Sequence, residues 1–497
     1  MSTVKIRLVV RTLLLAVGLA VLVPMVGAAQ EPPPNDREEA NLTGTLNDVA
    51  RPAPPVVAEP SPTPKPLPSR DWRSVGYVSV VDGELYDPFC RPLRSVGSNV
   101  PNLMFRDGLR DNLEWMRQHQ MRWLRVIATG HGTLLPKEQI RSGVVEQRLA
   151  DLLRVVEQFN AAHPPQEAIY VLVNFTDYYE PGVPGDRYGF DHAGWCEARV
   201  LNAPWYRRGV TRYSFSQECG GGQLADAPNY EVNYKPWVER LVAVGANSPA
   251  LFGWQLGNEM KSRDVTPHDG VDEAYEWYID WMADMTDTIR RIDRNHLILT
   301  GTQYLAELTD YAYRPNDGDP VQQLVPGYEQ RFEKILRGCH EYCWNVWTLT
   351  NYDFHHYALD DAMYLQKLKV PVMITEHGFT LGDPDQEKAR FDGDRVTALR
   401  SGRSRSWVDI FGERHTFDWS TGDLIDATGL QGVAPWASPA PGASPWIDLD
   451  WQRGLSLARE GDALWQVWHE IAGRLETSNS TRGISAACSA YVSPTAN

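Results

Sequence analysis

From about residue 71 onward, short apolar runs alternate with stretches of helical spacing, and this alternation constrains the fold more than any other feature of the chain. Strand signals fall at 93–99, 122–128, 169–174, 251–257, 296–301, 349–355, 370–375 and 431–436. Helical periodicity falls at 109–118, 144–161, 234–244, 273–292, 328–337, 362–368 and 455–475. Repeated β–α units place parallel strands inside a layer of helices, as an open sheet or a closed barrel. No glycine-rich phosphate loop follows the first strand, which argues against the open dinucleotide-binding arrangement. Eight strand signals match the α/β class in its (β/α)8 TIM-barrel form. Two additions are expected: a short N-terminal hairpin over 77–86, turning at Asp82-Gly83, and a long loop after strand 3, from Thr176 to about Tyr230. A loop of that length in a compact domain is more often functional than idle.

The segments on either side of this region differ in character. Residues 1–29 read as a signal peptide, with Lys5, Arg7 and Arg11 as a basic start, an apolar centre from Thr12 to Val23, and small residues at Val26-Gly27-Ala28-Ala29. The apolar run is short for a membrane span, so the mature chain is expected to have none unless the leader stays uncleaved. Residues 30–70 are rich in Pro and read as a disordered linker that cannot bury a core. The folded domain is then expected over 71–478, with a polar tail over 479–497, and a secreted or cell-surface location follows from the leader. In an exported chain the six Cys can form disulfides. Cys196–Cys219, Cys339–Cys343 and Cys90–Cys488 is one of the pairings they permit. A net charge of −16 argues against nucleic acid or an anionic membrane surface as partner. The 18 Trp and 21 Tyr suit stacking on apolar ligand faces.

Two apolar runs end in a carboxylate. Leu251 to Gly257 leads into Asn258-Glu259, and Pro371 to Thr375 leads into Glu376. A carboxylate closing a buried strand is costly unless it is paired, so each Glu has either a salt-bridge partner at the barrel rim or a task. In a (β/α)8 barrel all strands end at one face, and residues there converge on one site. Arg125, Asn174, Asn258, Glu259, His355, Tyr357, Glu376 and Trp436 all fall at or just beyond such ends, with His356 able to replace His355 if the register is shifted by one. Two carboxylates facing each other across a site suit glycosidic bond cleavage, where one protonates the leaving oxygen and the other attacks the anomeric carbon or activates water. Cys339, His340, Cys343, His355 and His356 have the residue types for Zn, but their spacing is weaker than paired Cys-x2-Cys motifs. Asp383, Asp385, Asp392 and Asp394 do not match a calcium-loop pattern. No metal and no cofactor is expected.

These motifs resemble glycoside hydrolase family 5 and its clan of (β/α)8 retaining glycosidases, of cellulase and mannanase type, over about residues 75–475. The resemblance is carried by Gly257-Asn258-Glu259, by Ile374-Thr375-Glu376-His377-Gly378-Phe379, by His355-His356-Tyr357, by Arg125 within Leu124-Arg125-Val126, and by Trp436. It implies Glu259 as acid/base, Glu376 as nucleophile, and Asn258, Arg125, His355, Tyr357 and Trp436 as substrate-binding or supporting residues. Asn174 is added from its strand-end position alone. The resemblance also implies a cofactor-free enzyme that acts on a β-linked glycan of mannan or glucan type through a covalent intermediate, and the chain is expected to be a monomer. Met260 stands where many members have Pro, and His377 where Phe is frequent. Two other readings share these residues: a carbohydrate-binding barrel without turnover, and a transglycosylase with the same covalent step.

Overall fold

The computed structural model describes residues 71–105, 107–128, 143–175, 235–258, 271–302, 313–314, 323–324, 345–351, 365–366, 368–377, 405–408, 414–417, 429–435 and 463–489. The expected leader, linker, loop 176–230 and helix 328–337 lie outside the described residues.

Two short strands, β1 (Ser79–Val81) and β2 (Glu84–Tyr86), pair antiparallel as the expected hairpin. Asp82 and Gly83 both adopt positive φ, 52° and 83°, which gives the tight turn the twist that matches its strands. There follow β3 (Ser95–Asn99), α1 (Leu109–Gln118), β4 (Trp123–Ile127), α2 (Val144–Ala161), β5 (Tyr170–Asn174), α3 (Lys235–Gly245), β6 (Leu251–Gln255), α4 (Val271–Ile292) and β7 (Leu297–Leu299). Next come β8 (Tyr313–Arg314), β9 (Gln323–Leu324), β10 (Trp347–Asn351), β11 (Val372–His377), β12 (Arg405–Val408), β13 (Arg414–Phe417), β14 (Gly432–Pro435), α5 (Ala463–Arg482) and α6 (Ala486–Ser489).

Eight of the described strands form one parallel sheet in the order β10-β11-β14-β3-β4-β5-β6-β7. A parallel bridge between Leu299 and Val346, the residue before β10, joins the two ends of that sheet. Across it the Thr300 N–H donates to the Val346 carbonyl, and the Val346 N–H to the Ile298 carbonyl, each at 3.2 Å. The ring is therefore closed, with each barrel strand beside the next in chain order, and the fold is the (β/α)8 barrel that the alternation predicts. Among the described residues two antiparallel pairs, β8–β9 and β12–β13, interrupt the units after β7 and β11. Strand signals for them were not expected, because runs of two to four residues between polar neighbours carry too little periodicity.

The helices form from amphipathic spacing. On α2, Val145, Leu149, Leu152, Val156 and Phe159 are buried, a stripe at three- and four-residue steps. α1, α2, α3 and α4 pack side by side in that order. Inside the barrel the lower half is apolar: Trp123, Leu172, Phe252, Leu299 and Met373 pack with Val78, Val80 and Leu85 of the hairpin, which plugs the N-terminal end. Gly97 has its role there, since a Cβ at that position would lie 2.2 Å from the Trp123 ring.

The C-terminal boundary differs from expectation. The closing helix is described over Ala463–Arg482, seven residues further at its end than expected, and within 479–489 the chain is tied to the barrel base. The Asn479 side chain brackets Arg94, donating to its carbonyl at 2.7 Å and accepting from its N–H at 3.3 Å. Cys488 is disulfide-bonded to Cys90, and the Ser485 N–H donates to the Cys90 carbonyl at 2.9 Å. Over 479–489 the polar sequence serves hydrogen bonding to backbone, while 490–497 lie outside the described residues. Cys196, Cys219, Cys339 and Cys343 lie outside the described residues.

Candidate active site

The upper half of the barrel interior is polar, and Arg125 is its centre. Arg125 is the third residue of β4, not its end as the sequence suggests, and its long side chain rises from mid-strand to the C-terminal face. Its guanidinium, 1% exposed, has four partners among the described residues. Nε donates to Gln255 Oε1 at 2.6 Å, Nη1 to Asn99 Oδ1 at 3.1 Å, and Nη2 to Asn258 Oδ1 at 2.5 Å. Nη1 also donates to Glu376 Oε1, forming a buried ion pair.

The remaining side chains lock this arrangement from neighbouring strands. Asn99, the last residue of β3, pairs in register with Arg125 and donates from Nδ2 to the Thr375 carbonyl at 2.5 Å and the Pro435 carbonyl at 3.2 Å. Asn174, the last residue of β5, pairs in register with Gln255, the last of β6, and donates to Gln255 Oε1 at 3.0 Å. Gln255 Nε2 donates to the hydroxyls of Thr348 at 3.0 Å and Thr375 at 3.3 Å. Buried polar groups in a low-dielectric interior are costly unless bonded, and each side chain named here bonds to at least one other in the network.

Two β-bulges aim these groups. On β6 the register steps from Val171↔Leu251 to Leu172↔Gly253, so Phe252 is the extra residue. That lets β6 deliver Phe252 to the apolar layer and Gln255, three positions on, to the polar one. On β11 the register steps from Leu349↔Ile374 to Thr350↔Glu376, so Thr375 is the extra residue. In a regular strand Thr375 and Glu376 would face opposite sides. The bulge allows both to enter the network, a common use of bulges beside functional groups. Glu376 therefore sits inside β11, one position before its last residue, and not just past the strand.

Of the residues singled out by sequence, the structure brings together Arg125, Asn174, Asn258 and Glu376. Asn258 lies three positions beyond β6 and is buried. Glu259, His355, Tyr357 and Trp436 lie outside the described residues, as do Cys339, His340, Cys343 and His356. β10 is described over Trp347–Asn351, beginning two residues before the expected strand, and 352–355 lie outside the described residues. Asn99, Gln255, Thr348 and Thr375 were missed. The available signal was a polar residue inside an otherwise apolar run, as in Phe252-Gly-Trp-Gln255-Leu256.

At the C-terminal face of this (β/α)8 barrel a buried carboxylate is thus held by a guanidinium. The chain is similar to mannan endo-1,4-β-mannosidase A of Podospora anserina, 31% identical over 94 residues, or 18% of this chain and 23% of that protein. It is similar to a probable mannan endo-1,4-β-mannosidase C of Aspergillus terreus, 25% identical over 170 residues, or 32% of this chain and 40% of that protein. These matches span only about a fifth to two fifths of the length of the curated relatives. Among solved structures it is similar to a glycoside hydrolase family 5 mannosidase from Rhizomucor miehei in complex with mannosyl-fructose, 13% identical, covering 82% of this chain and 99% of that one with a TM-score of 0.47. The fold rests on the strand pairing of the chain itself. No protein-family model matches the chain.

Proposed function

We propose that this protein is an exported, retaining glycoside hydrolase that cleaves β-linked mannan, with Glu376 as nucleophile and Glu259 as acid/base. The observation that carries the reading is the Arg125 guanidinium, which joins Glu376 from β11 to Asn258 beyond β6 inside the barrel mouth. It supports the pairing of two sequence motifs 117 positions apart (Glu376 − Glu259) in one site. The curated relatives named as mannan endo-1,4-β-mannosidases favour mannan over glucan.

The chemistry follows from charge. A guanidinium beside a carboxylate favours its ionised form, which is the form a nucleophile needs. In the first step Glu376 attacks the anomeric carbon while Glu259 gives its proton to the departing glycosidic oxygen, leaving a glycosyl ester on Glu376. In the second, Glu259 takes a proton from water, the hydroxide displaces the ester, and Glu376 regains its charge. Asn258 has its Oδ1 on Arg125, so any contact with a sugar hydroxyl through the other end of its amide is a donation from Nδ2. His355 and Tyr357 would support the nucleophile, Trp436 would form an apolar floor under the sugar, and Asn174 would act through Gln255. The leader and the Cys90–Cys488 bridge are consistent with an oxidising, extracytoplasmic location.

The test is hydrolysis of mannan, β-glucans and aryl β-glycosides by the purified protein, with proton NMR of the first-formed product. Mannan cleavage with the β-anomer formed first is expected. An inverted first product, or full hydrolysis by Glu376→Ala, would remove Glu376 from the nucleophile's role.

A further inference from the structure

We propose that Gln255 is a positioning residue whose neutrality commits the charge of Arg125 to Glu376. The inference rests on the retaining-glycosidase reading of Glu376 and deepens it.

Arg125 Nε can only donate, so the Gln255 atom at 2.6 Å must be its carbonyl oxygen. The same oxygen accepts from Asn174 Nδ2 at 3.0 Å. The amide nitrogen then donates to Thr348 and Thr375, so both ends of the side chain are in use. One amide thereby ties together β4, β5, β6, β10 and β11, five of the eight barrel strands. It leaves the guanidinium edge that carries Nη1 and Nη2 turned to Glu376 and Asn258.

A carboxylate at position 255 would fit the same bonds. It would accept from Arg125 and Asn174, and both threonine hydroxyls can turn to donate. It would, however, share the charge of Arg125 and add a negative charge near Glu376, and both effects disfavour the ionised nucleophile. Among the described residues Arg125 of β4 is the charged side chain facing Glu376. β3 presents Asn99, β6 presents Gln255 and β10 presents Thr348, none of which titrates at neutral pH. Glu259, His355 and Tyr357 lie outside the described residues and are common to wild type and variant, so the difference between the two isolates position 255.

The test compares Gln255→Glu and Gln255→Leu with wild type in two readouts. The first is the pH dependence of kcat/KM on an aryl β-mannoside. The second is carbon NMR of carboxyl-labelled Glu, with the Glu376 resonance identified by its loss in Glu376→Gln. For Gln255→Glu, the acid limb and the Glu376 titration should both move up by roughly one pH unit, with plateau kcat kept within a few-fold. For Gln255→Leu, which releases Nε without adding charge, kcat should fall roughly 10-fold or more through misplacement of Arg125, with KM less affected. An unmoved Glu376 titration in a folded Gln255→Glu variant would overturn the inference. Wild type without glycosidase activity would overturn the functional reading, while the NMR titration would still decide the role of Gln255.

Discussion

Arg125 and Glu376 form a buried ion pair, and such a pair is weak evidence for stability, because removing two charges from water offsets most of their attraction. On the proposed function the pair serves instead to keep the nucleophile ionised. Breaking it is another matter. Arg125→Met leaves Glu376 buried beside no guanidinium and is expected to destabilise the fold by about 3–5 kcal/mol. It should also lower kcat on a mannan oligosaccharide by roughly 100-fold or more. Urea unfolding and steady-state kinetics measure the two effects. Glu376 and Asn258 were legible in the sequence because each closes or follows an apolar run without an evident structural reason. Gln255, Asn99 and Thr375 were not. Gln255 and Thr375 depend on bulges at Phe252 and Thr375, which local periodicity cannot foresee, and Asn99 gains its meaning only from lying beside Arg125 across the barrel register.

At the scale of elements, the joints between strands and helices hold the mouth in place. Gly301, just beyond β7, has φ of +79°, and a Cβ there would lie 1.8 Å from the Gly257 carbonyl oxygen. Gly301→Ala must therefore displace the turn that leads into Asn258, and is expected to destabilise by roughly 2–4 kcal/mol and to lower kcat as well. Thermal denaturation and activity at a permissive temperature check both. At the opposite end, Asp293 joins α4 to β7. Burial alone would raise its carboxyl, but the hydrogen bond and attraction of His296, with bonds from Trp254 Nε1 at 2.7 Å and the Asn295 N–H at 2.8 Å, outweigh it and hold the group below the ordinary carboxylate value. The folded state thus favours the ionised form more than the unfolded chain does. That contribution is complete above the unfolded value of about 3.9 and is lost as the pH falls through the lower folded value. Asp293→Asn should therefore lower stability near neutral pH and make its decline in acid shallower, as urea unfolding over a pH series would show. The helices α1 and α2 were readable to the residue because amphipathic spacing fixes them locally. The short pairs β8–β9 and β12–β13 form by contacts that the sequence does not signal.

For the whole molecule, the alternation of strand and helix was enough to specify a closed barrel, since eight strands, mostly with intervening helices, leave few other ways to bury both faces of a parallel sheet. How the ends are secured was legible in part: the hairpin was expected, and Cys90–Cys488 was one of the pairings that six Cys permit. The hairpin plugs the base, and Cys90–Cys488 joins positions 398 apart, tying α6 to the segment that leads into β3. Replacing both Cys by Ser is expected to cost roughly 2–5 kcal/mol, measured by denaturant unfolding without reductant, while leaving kcat unchanged because the bridge lies at the end remote from Arg125. The central claim, that Glu376 carries the sugar, is tested most directly by mass spectrometry of the protein after reaction with a β-mannosyl fluoride bearing fluorine at the second carbon, which slows breakdown of a glycosyl ester. A single fluorosugar adduct on the peptide containing Glu376, absent from Glu376→Gln, is predicted; an active enzyme labelled at another residue, or turning over with Glu376 never modified, would contradict it.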